Sequence, residues 1–178
     1  MHIEPVTLEN VHPACLRTAF WEAGPSATDI RLAKEMWLTS TLLEYGTCGF
    51  SIQDVATILF APPSLVPGAS LMSAGPVSPD ATLITSLFTS RISEGVSAVL
   101  IDAVLAHLLA TDVTAVEAFG WRSGTFGPIG LIPEKYLLSA GFSVIREDDE
   151  VPLYRLELPP ESGLLADAFE RIEVGALA

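Results

Sequence analysis

At 178 residues the chain is long enough to bury one sizeable core and short for two. Nine Lys and Arg against 22 Asp and Glu leave a formal charge of −13, a field that repels nucleic-acid backbones and anionic membranes and attracts cationic amines or basic peptide termini. Cys15 and Cys48 form no CxxC pair, and His2, His12 and His107 complete no ligand spacing, so neither a disulfide framework nor a structural metal is expected.

No basic stretch followed by an apolar run opens the sequence, which argues against a signal peptide and for the cytoplasm. Residues 2–7 roughly alternate polar and apolar, predicting a first strand. Residues 10–21 read as a helix interrupted near Pro13 and ended at Gly24-Pro25. Thr28-Asp29 caps a second helix reaching about Tyr45, with Ile30, Ala33, Trp37 and Thr41 near its inner face, and Gly46 stops it.

Residues 48–53 and 55–61 predict a hairpin turning at Gln53-Asp54. Nothing charged then occurs until Asp80, but the interval holds Pro62, Pro63, Pro67, Pro76 and Pro79, too many for a membrane helix. It reads as the second hairpin strand followed by a Pro/Gly-rich loop. The run ATLITSLFT, residues 81–89, is uncharged and β-branched, as a strand buried on both faces should be.

Residues 93–110 give the strongest helical period, with Val96, Val99, Leu100, Ala103, Val104 and Leu108 on an apolar stripe. A strand at 113–119 follows, so strand, helix and strand form a parallel crossover. A glycine-rich loop over 120–130 leads to a short helix begun by Pro133 and stopped by Gly141. Residues 142–146 and 153–158 predict antiparallel strands around the acidic turn 147–150. The tail, 159–178, carries Leu164, Leu165, Ala168, Phe169 and Ile172 at helical spacing and reads as a docked helix.

The strings LITSLF at 83–88, EGVSAVLIDAVLAHL at 94–108, VEAFG at 116–120, LIPEKYLLSAGF at 131–142 and RLEL at 155–158 stand in the order and spacing of one family. Together they resemble the GNAT N-acetyltransferases, over roughly residues 1–158. The resemblance implies an α/β (α+β) fold: a mixed, mostly antiparallel twisted sheet of about six or seven strands flanked by about four helices, with the tail outside it. It also implies acetyl-CoA as co-substrate and no metal.

In that family a Q/R-x-x-G-x-G/A loop offers the amides of a helix N-terminus to the CoA pyrophosphate. Set on Gly95, the corresponding stretch is Ile92, Ser93, Glu94, Gly95, Val96, Ser97, Ala98. Gly95 matches and Ser97 or Ala98 is small enough for the last position. Ile92 stands where Gln or Arg is expected, Glu94 brings a negative charge, and the loop is about two residues short. The resemblance further implies that pantetheine pairs with the backbones of Leu87, Phe88 and Thr89, one amide of that strand polarising the acyl carbonyl.

Amine acetylation needs a base and a donor for the leaving thiolate. Glu117, a carboxylate in an otherwise apolar strand beside the implied cleft, is the candidate base, with exposure to solvent or pairing to Arg122 or Arg155 as the structural alternatives. The family's donor is often a Tyr four residues before the closing Gly, where this chain has Leu137; the adjacent Tyr136 reads first as packing and second as general acid. Trp121-Arg122, Glu44 and Tyr45 are further cleft candidates. Three readings follow: transfer of an acetyl group to a primary amine of a small molecule or protein, cations favoured; a GNAT-derived binding or regulatory module without turnover; or a sensor that binds acyl-CoA without transferring it. The apolar excess and the uncharged interval also raise the expectation of a homodimer.

Overall fold

The computed structural model describes residues 1–90, 94–123 and 127–160. Eight strands form one sheet: β1 (Glu4–Pro5), β2 (Gly49–Ile52), β3 (Ala56–Ala61), β4 (Ala81–Thr89), β5 (Ala115–Trp121), β6 (Ile132–Pro133), β7 (Ser143–Arg146) and β8 (Leu153–Glu157). Seven lie in the order β1-β2-β3-β4-β5-β8-β7, and β6 pairs with β5 off that path. All neighbours are antiparallel except β4 with β5 and β5 with β6. Four helices accompany them: α1 (Phe20–Ala23), α2 (Ile30–Glu44), α3 (Glu94–Leu109) and α4 (Glu134–Ser139). This is the mixed, mostly antiparallel architecture expected. The tail helix predicted beyond Pro160 lies outside the described residues.

The hydrophobic pattern explains the two layers. From α3, residues Val96, Leu100, Ile101, Val104, Leu105 and Leu108 pack on Ile58, Ile84, Leu87 and Val116, and α4 joins them through Tyr136 and Leu137. The expected stripe of α3 is therefore corrected: Ile101 and Leu105 are fully buried while Val99 is 36% exposed. The opposite face of the sheet carries one cluster around Trp21, Leu83, Phe119 and Leu131 and another around Cys15, Leu38, Cys48 and Phe88.

The N-terminal third departs most from expectation. The predicted helix over 10–21 is a 3-10 turn (Pro13–Arg17) followed by the four-residue α1. Two local devices hold the backbone off the helix: Thr7 N–H donates to Asn10 Oδ1 at 2.7 Å, and Ala14 N–H donates to His12 Nδ1 at 3.2 Å. Asp29 caps α2 as predicted, accepting from Leu32 N–H at 3.0 Å. The inner face of α2 is partly corrected: Thr41 is buried as expected, but Lys34 and Leu38 are buried where Ala33 and Trp37 were expected, and Ile30 is 44% exposed.

Residues 62–80 are irregular, with 3-10 turns at Pro63–Leu65 and Pro67–Leu71. Here α1 lies directly on backbone. A Cβ on Gly68 would strike the Phe20 carbonyl and come within 2.7 Å of Trp21 Cα. Gly68→Ala is therefore expected to cost about 2–3 kcal/mol, because main chain cannot swing aside as a side chain can. A urea titration would measure it; a loss below ~0.5 kcal/mol would mean that α1 slides freely on this loop.

Candidate functional site

The architecture creates a gap at one place. β4 and β5 are registered from Ala81↔Ala115 to Ile84↔Ala118 and no further. Beyond Ile84 the pairing of β4 with β3 shifts: Phe60 faces Ile84 but Leu59 faces Ser86. One extra residue is thus accommodated in β4 at Thr85-Ser86, a β-bulge that bends the strand and resets its alternation. Ile84 and Leu87 consequently both face the α3 layer. β5, meanwhile, takes β6 as its neighbour at Gly120↔Ile132. The C-terminal half of β4 has parted from β5 on one side while remaining paired to β3 on the other.

Four residues separate Thr89 from Glu94, so α3 starts directly after the end of β4, and its Val96 belongs to the same buried cluster as Leu87. Gly95 and Ala98 are exposed and Ser97 is buried. The Ser97 hydroxyl has no hydrogen-bond partner among the described residues, an orphaned donor in the first turn of a long helix. Exposed Gly95 and Ala98 leave the helix N-terminus open to an anionic group such as a pyrophosphate, while the Ser97 hydroxyl is buried away from it. Ser93 lies outside the described residues, as does the side chain of Glu94.

Of the strand residues expected to face pantetheine, Leu87 and Phe88 are buried and Thr89 is partly exposed. The Leu87 amide is engaged: its N–H donates to the Gly130 carbonyl at 2.8 Å. Gly130 sits at φ +74°, and a Cβ there would fall 2.7 Å from Ser86 Cβ and 2.8 Å from the Phe88 ring. Trp21 Nε1–H donates to the Ile129 carbonyl at 2.8 Å, fastening the same segment to α1.

Glu117 is fully buried and both its oxygens are in use. Oε1 accepts from Arg155 Nη1 at 2.9 Å, and Oε2 accepts from the Ser78 N–H at 2.9 Å. This is the Arg155 pairing that the sequence left open, and it ties β5 to β8 and to the approach of β4. Tyr136 is 7% exposed and packs in the α3 layer beside Leu137, the packing role read first from the sequence. Arg122 holds Glu134 at 3.3 Å, Glu147 at 2.8 Å and the Asp148 carbonyl at 2.6 Å, while Trp121 packs across Gly127. Tyr45 lies inward, its hydroxyl 3.5 Å from Thr82 Oγ1, and Glu44 is exposed.

Two groups that sequence reasoning missed are polar and buried. Tyr154 is fully buried and its hydroxyl donates to Glu134. Burial first, and then that hydrogen bond and the Glu134 charge, push the phenol well above its usual range, so it stays protonated. Lys34 and Glu22 form an ion pair with both side chains wholly inaccessible, and Glu22 Oε2 has no partner among the described residues. Burial pushes the nearby Cys15 and Cys48 thiols up to about 12, which removes them as nucleophiles near neutral pH. His107 is wedged between the rings of Phe50 and Phe60, each 5.7 Å away. No cluster of His, Cys, Asp and Glu suited to a metal ion occurs among the described residues, and no helix there is long and apolar enough to cross a membrane.

No protein-family model and no curated protein matches the chain. Solved structures do. A protein from Desulfovibrio desulfuricans assigned to the GNAT family of acetyltransferases superposes with a TM-score of 0.51 at 17% identity, covering 88% of this chain and 98% of that one. An N-acetyltransferase from Staphylococcus aureus gives 0.54 at 12% identity, over 88% and 98%. The N-acetyltransferase PseH of Campylobacter jejuni, in complex with acetyl coenzyme A, gives 0.51 at 11% identity, over 88% and 99%. Likeness at such identities is a likeness of fold, and it coincides with the parted central strands: the chain has the fold of the GNAT acetyltransferases.

Proposed function

We propose that the chain is an acetyl-CoA-dependent N-acetyltransferase acting on a primary amine, by direct attack of the amine on the thioester in a ternary complex. The observation that carries this reading is the parting of β4 from β5 after Ile84, which leaves the C-terminal flank of β4 without its neighbouring strand just before the start of α3, with the Gly130 carbonyl on the Leu87 amide. The β4 edge at Leu87, Phe88 and Thr89 would pair with the pantetheine arm. The α3 start at Gly95, Val96, Ser97 and Ala98, with Ser93 and Glu94 just before it, would meet the pyrophosphate. Complexes of similar folds with acetyl coenzyme A support the assignment of the ligand.

The amine must lose a proton before attack and the thiolate must gain one afterwards. With Glu117 bound to Arg155 and Ser78, and Tyr136 packed in the core, we assign the amine's proton to solvent and keep Glu117 and Tyr136 as the residues to be tested in the two roles. The formal charge of −13 favours a cationic acceptor, whether a polyamine-like small molecule or a basic protein terminus. A cytoplasmic homodimer completes the proposal, and a monomer at all concentrations in sedimentation would count against the dimer.

A second reading, a GNAT-shaped binding or regulatory module without turnover, draws support from the Leu87 amide being engaged by Gly130. Thermal unfolding with acetyl-CoA separates the two, with desulfo-CoA and adenosine diphosphate as controls. Ligand at a hundredfold excess over Kd adds ~2.7 kcal/mol, roughly 5–10 °C for a chain of this length. That shift, followed by thiol release in a panel of amines, is the expected result. No shift at millimolar acetyl-CoA would overturn the transferase reading.

A further inference from the structure

From the geometry around Gly130 we infer that residues 127–131 and an acyl-CoA compete for the same edge of β4, so that the ligand enters only when Gly130 withdraws from Leu87. The inference rests on the acetyl-CoA reading above and adds to it a self-occupied state.

The Leu87 N–H lies on the side of β4 that β5 has vacated, and it is given to the Gly130 carbonyl at 2.8 Å. An amide has one hydrogen, and it cannot be given at full strength to a thioester or pantetheine carbonyl while it is given to Gly130. Close approach is built into the segment. Gly130 has a positive φ, a turn is closed by Gly130 N–H to the Gly127 carbonyl at 3.0 Å, and only a residue without Cβ fits against Ser86 and Phe88. The occupant is therefore shaped to the strand rather than resting on it by chance.

The segment is also latched from the other side. Trp21 Nε1–H holds the Ile129 carbonyl, and Leu131 is buried in the cluster of Trp21 and Phe119. Just beyond, Ile132 is paired to Gly120, which anchors the chain at β6. Withdrawal of residues 127–131 is thus limited on one side by β6 and opposed by a latch made by one indole. Trp21 stacks on Phe119 with ring centroids 5.8 Å apart, so a Phe at this position keeps an aromatic ring there while losing the N–H and part of the buried indole's volume.

Acetyl-CoA affinity is to be measured by calorimetry on the full chain and on two variants. Trp21→Phe removes the latch and should tighten binding about fivefold, the worth of one ordinary hydrogen bond. Gly130→Ala strains the closed turn and crowds Ser86 and Phe88, and should tighten binding by tenfold or more. Hydrogen exchange supplies the second readout. On binding desulfo-CoA, the amides of Gly130 and Leu131 should exchange faster while that of Leu87 stays protected, having changed partner. Equal affinity in all three proteins, with protection of Gly130 undisturbed by ligand, overturns the competition and leaves the acetyl-CoA reading intact. Failure of all three to bind, with Leu87 shown by exchange to be released in Gly130→Ala, overturns both. If Trp21→Phe does not fold, the Gly130→Ala comparison alone decides.

Discussion

Lys34→Met is expected to lower the stability of the protein by about 3–5 kcal/mol, the cost of leaving a buried partner charge uncompensated. Lys34 lies on the inner face of α2 and its ammonium meets Glu22 of α1, both side chains wholly inaccessible. In water neither charge needs the other. Inside, each is tolerable only because the other is there. Methionine fills the space of the lysine stem but brings no charge, so the Glu22 carboxylate would have to stay ionised without a counter-charge or take up a proton. For a chain of this length the loss corresponds to a fall in Tm of roughly 10 °C.

The same argument predicts a rescue. The second Glu22 oxygen has no hydrogen-bond partner among the described residues, so the pair is imperfectly compensated even when intact. Replacing both members, Lys34→Met with Glu22→Leu, should recover most of the lost stability, since an apolar pair owes nothing to desolvation. Chemical denaturation of the four proteins in the double-mutant cycle measures this directly. A Lys34→Met loss under ~1 kcal/mol would mean that water reaches the pair, and the account of α2 as a helix turned inward by its lysine would fail.

That pair also marks where sequence reading stopped. The core strand β4 was legible because nine uncharged, β-branched-rich residues admit little else, and α3 because its apolar period runs through four turns. α2 was located and capped correctly, and Thr41 faces inward as expected, but Lys34 and Leu38 take the buried positions expected of Ala33 and Trp37. A lysine is counted as outward-facing by default, and only a carboxylate on the preceding short helix makes it face inward. β6 was missed because it has two residues, one of them proline, inside what reads as a loop.

The site was half legible. LITSLF placed the β4 edge, and the spacing of Ile84 to Leu87, three rather than two, is a signal of the bulge that the sequence reading passed over. The hydrogen bond from Leu87 to Gly130 had no such signal, since a backbone contact between distant segments leaves no side chain to read. Glu117 stands out in the sequence as a carboxylate in an apolar strand with Arg122 or Arg155 as candidate partners; which of the two it meets depends on strand order, and that is not written in β5 itself.

That partner carries the second large effect. Arg155→Met should destabilise the protein by about 3 kcal/mol, because one guanidinium serves three carboxylates. It reaches Glu117 Oε1 at 2.9 Å, Asp80 Oδ2 at 2.8 Å and Glu157 Oε1 at 2.6 Å. Asp80 and Glu157 are more than half exposed and would simply face water, so nearly all of the loss comes from Glu117, which has no exposure at all. Lysine would not substitute, having one point charge where the guanidinium offers a fork. Acid should reveal the cluster too. Arg155 holds the Asp80 carboxyl below its ordinary value, so its contribution is present above about pH 4 and is lost as pH falls through the folded-state value; Arg155→Met should flatten that loss. Glu117→Gln then distinguishes clamp from base. As a clamp, Glu117 predicts a stability loss of ~1–2 kcal/mol, with the surviving transferase rate keeping its pH profile. As a base, it predicts the reverse: stability nearly kept, the rate down by a hundredfold or more, and the acidic limb of the profile gone. The two carboxylate oxygens already bound to Arg155 and Ser78 favour the first outcome.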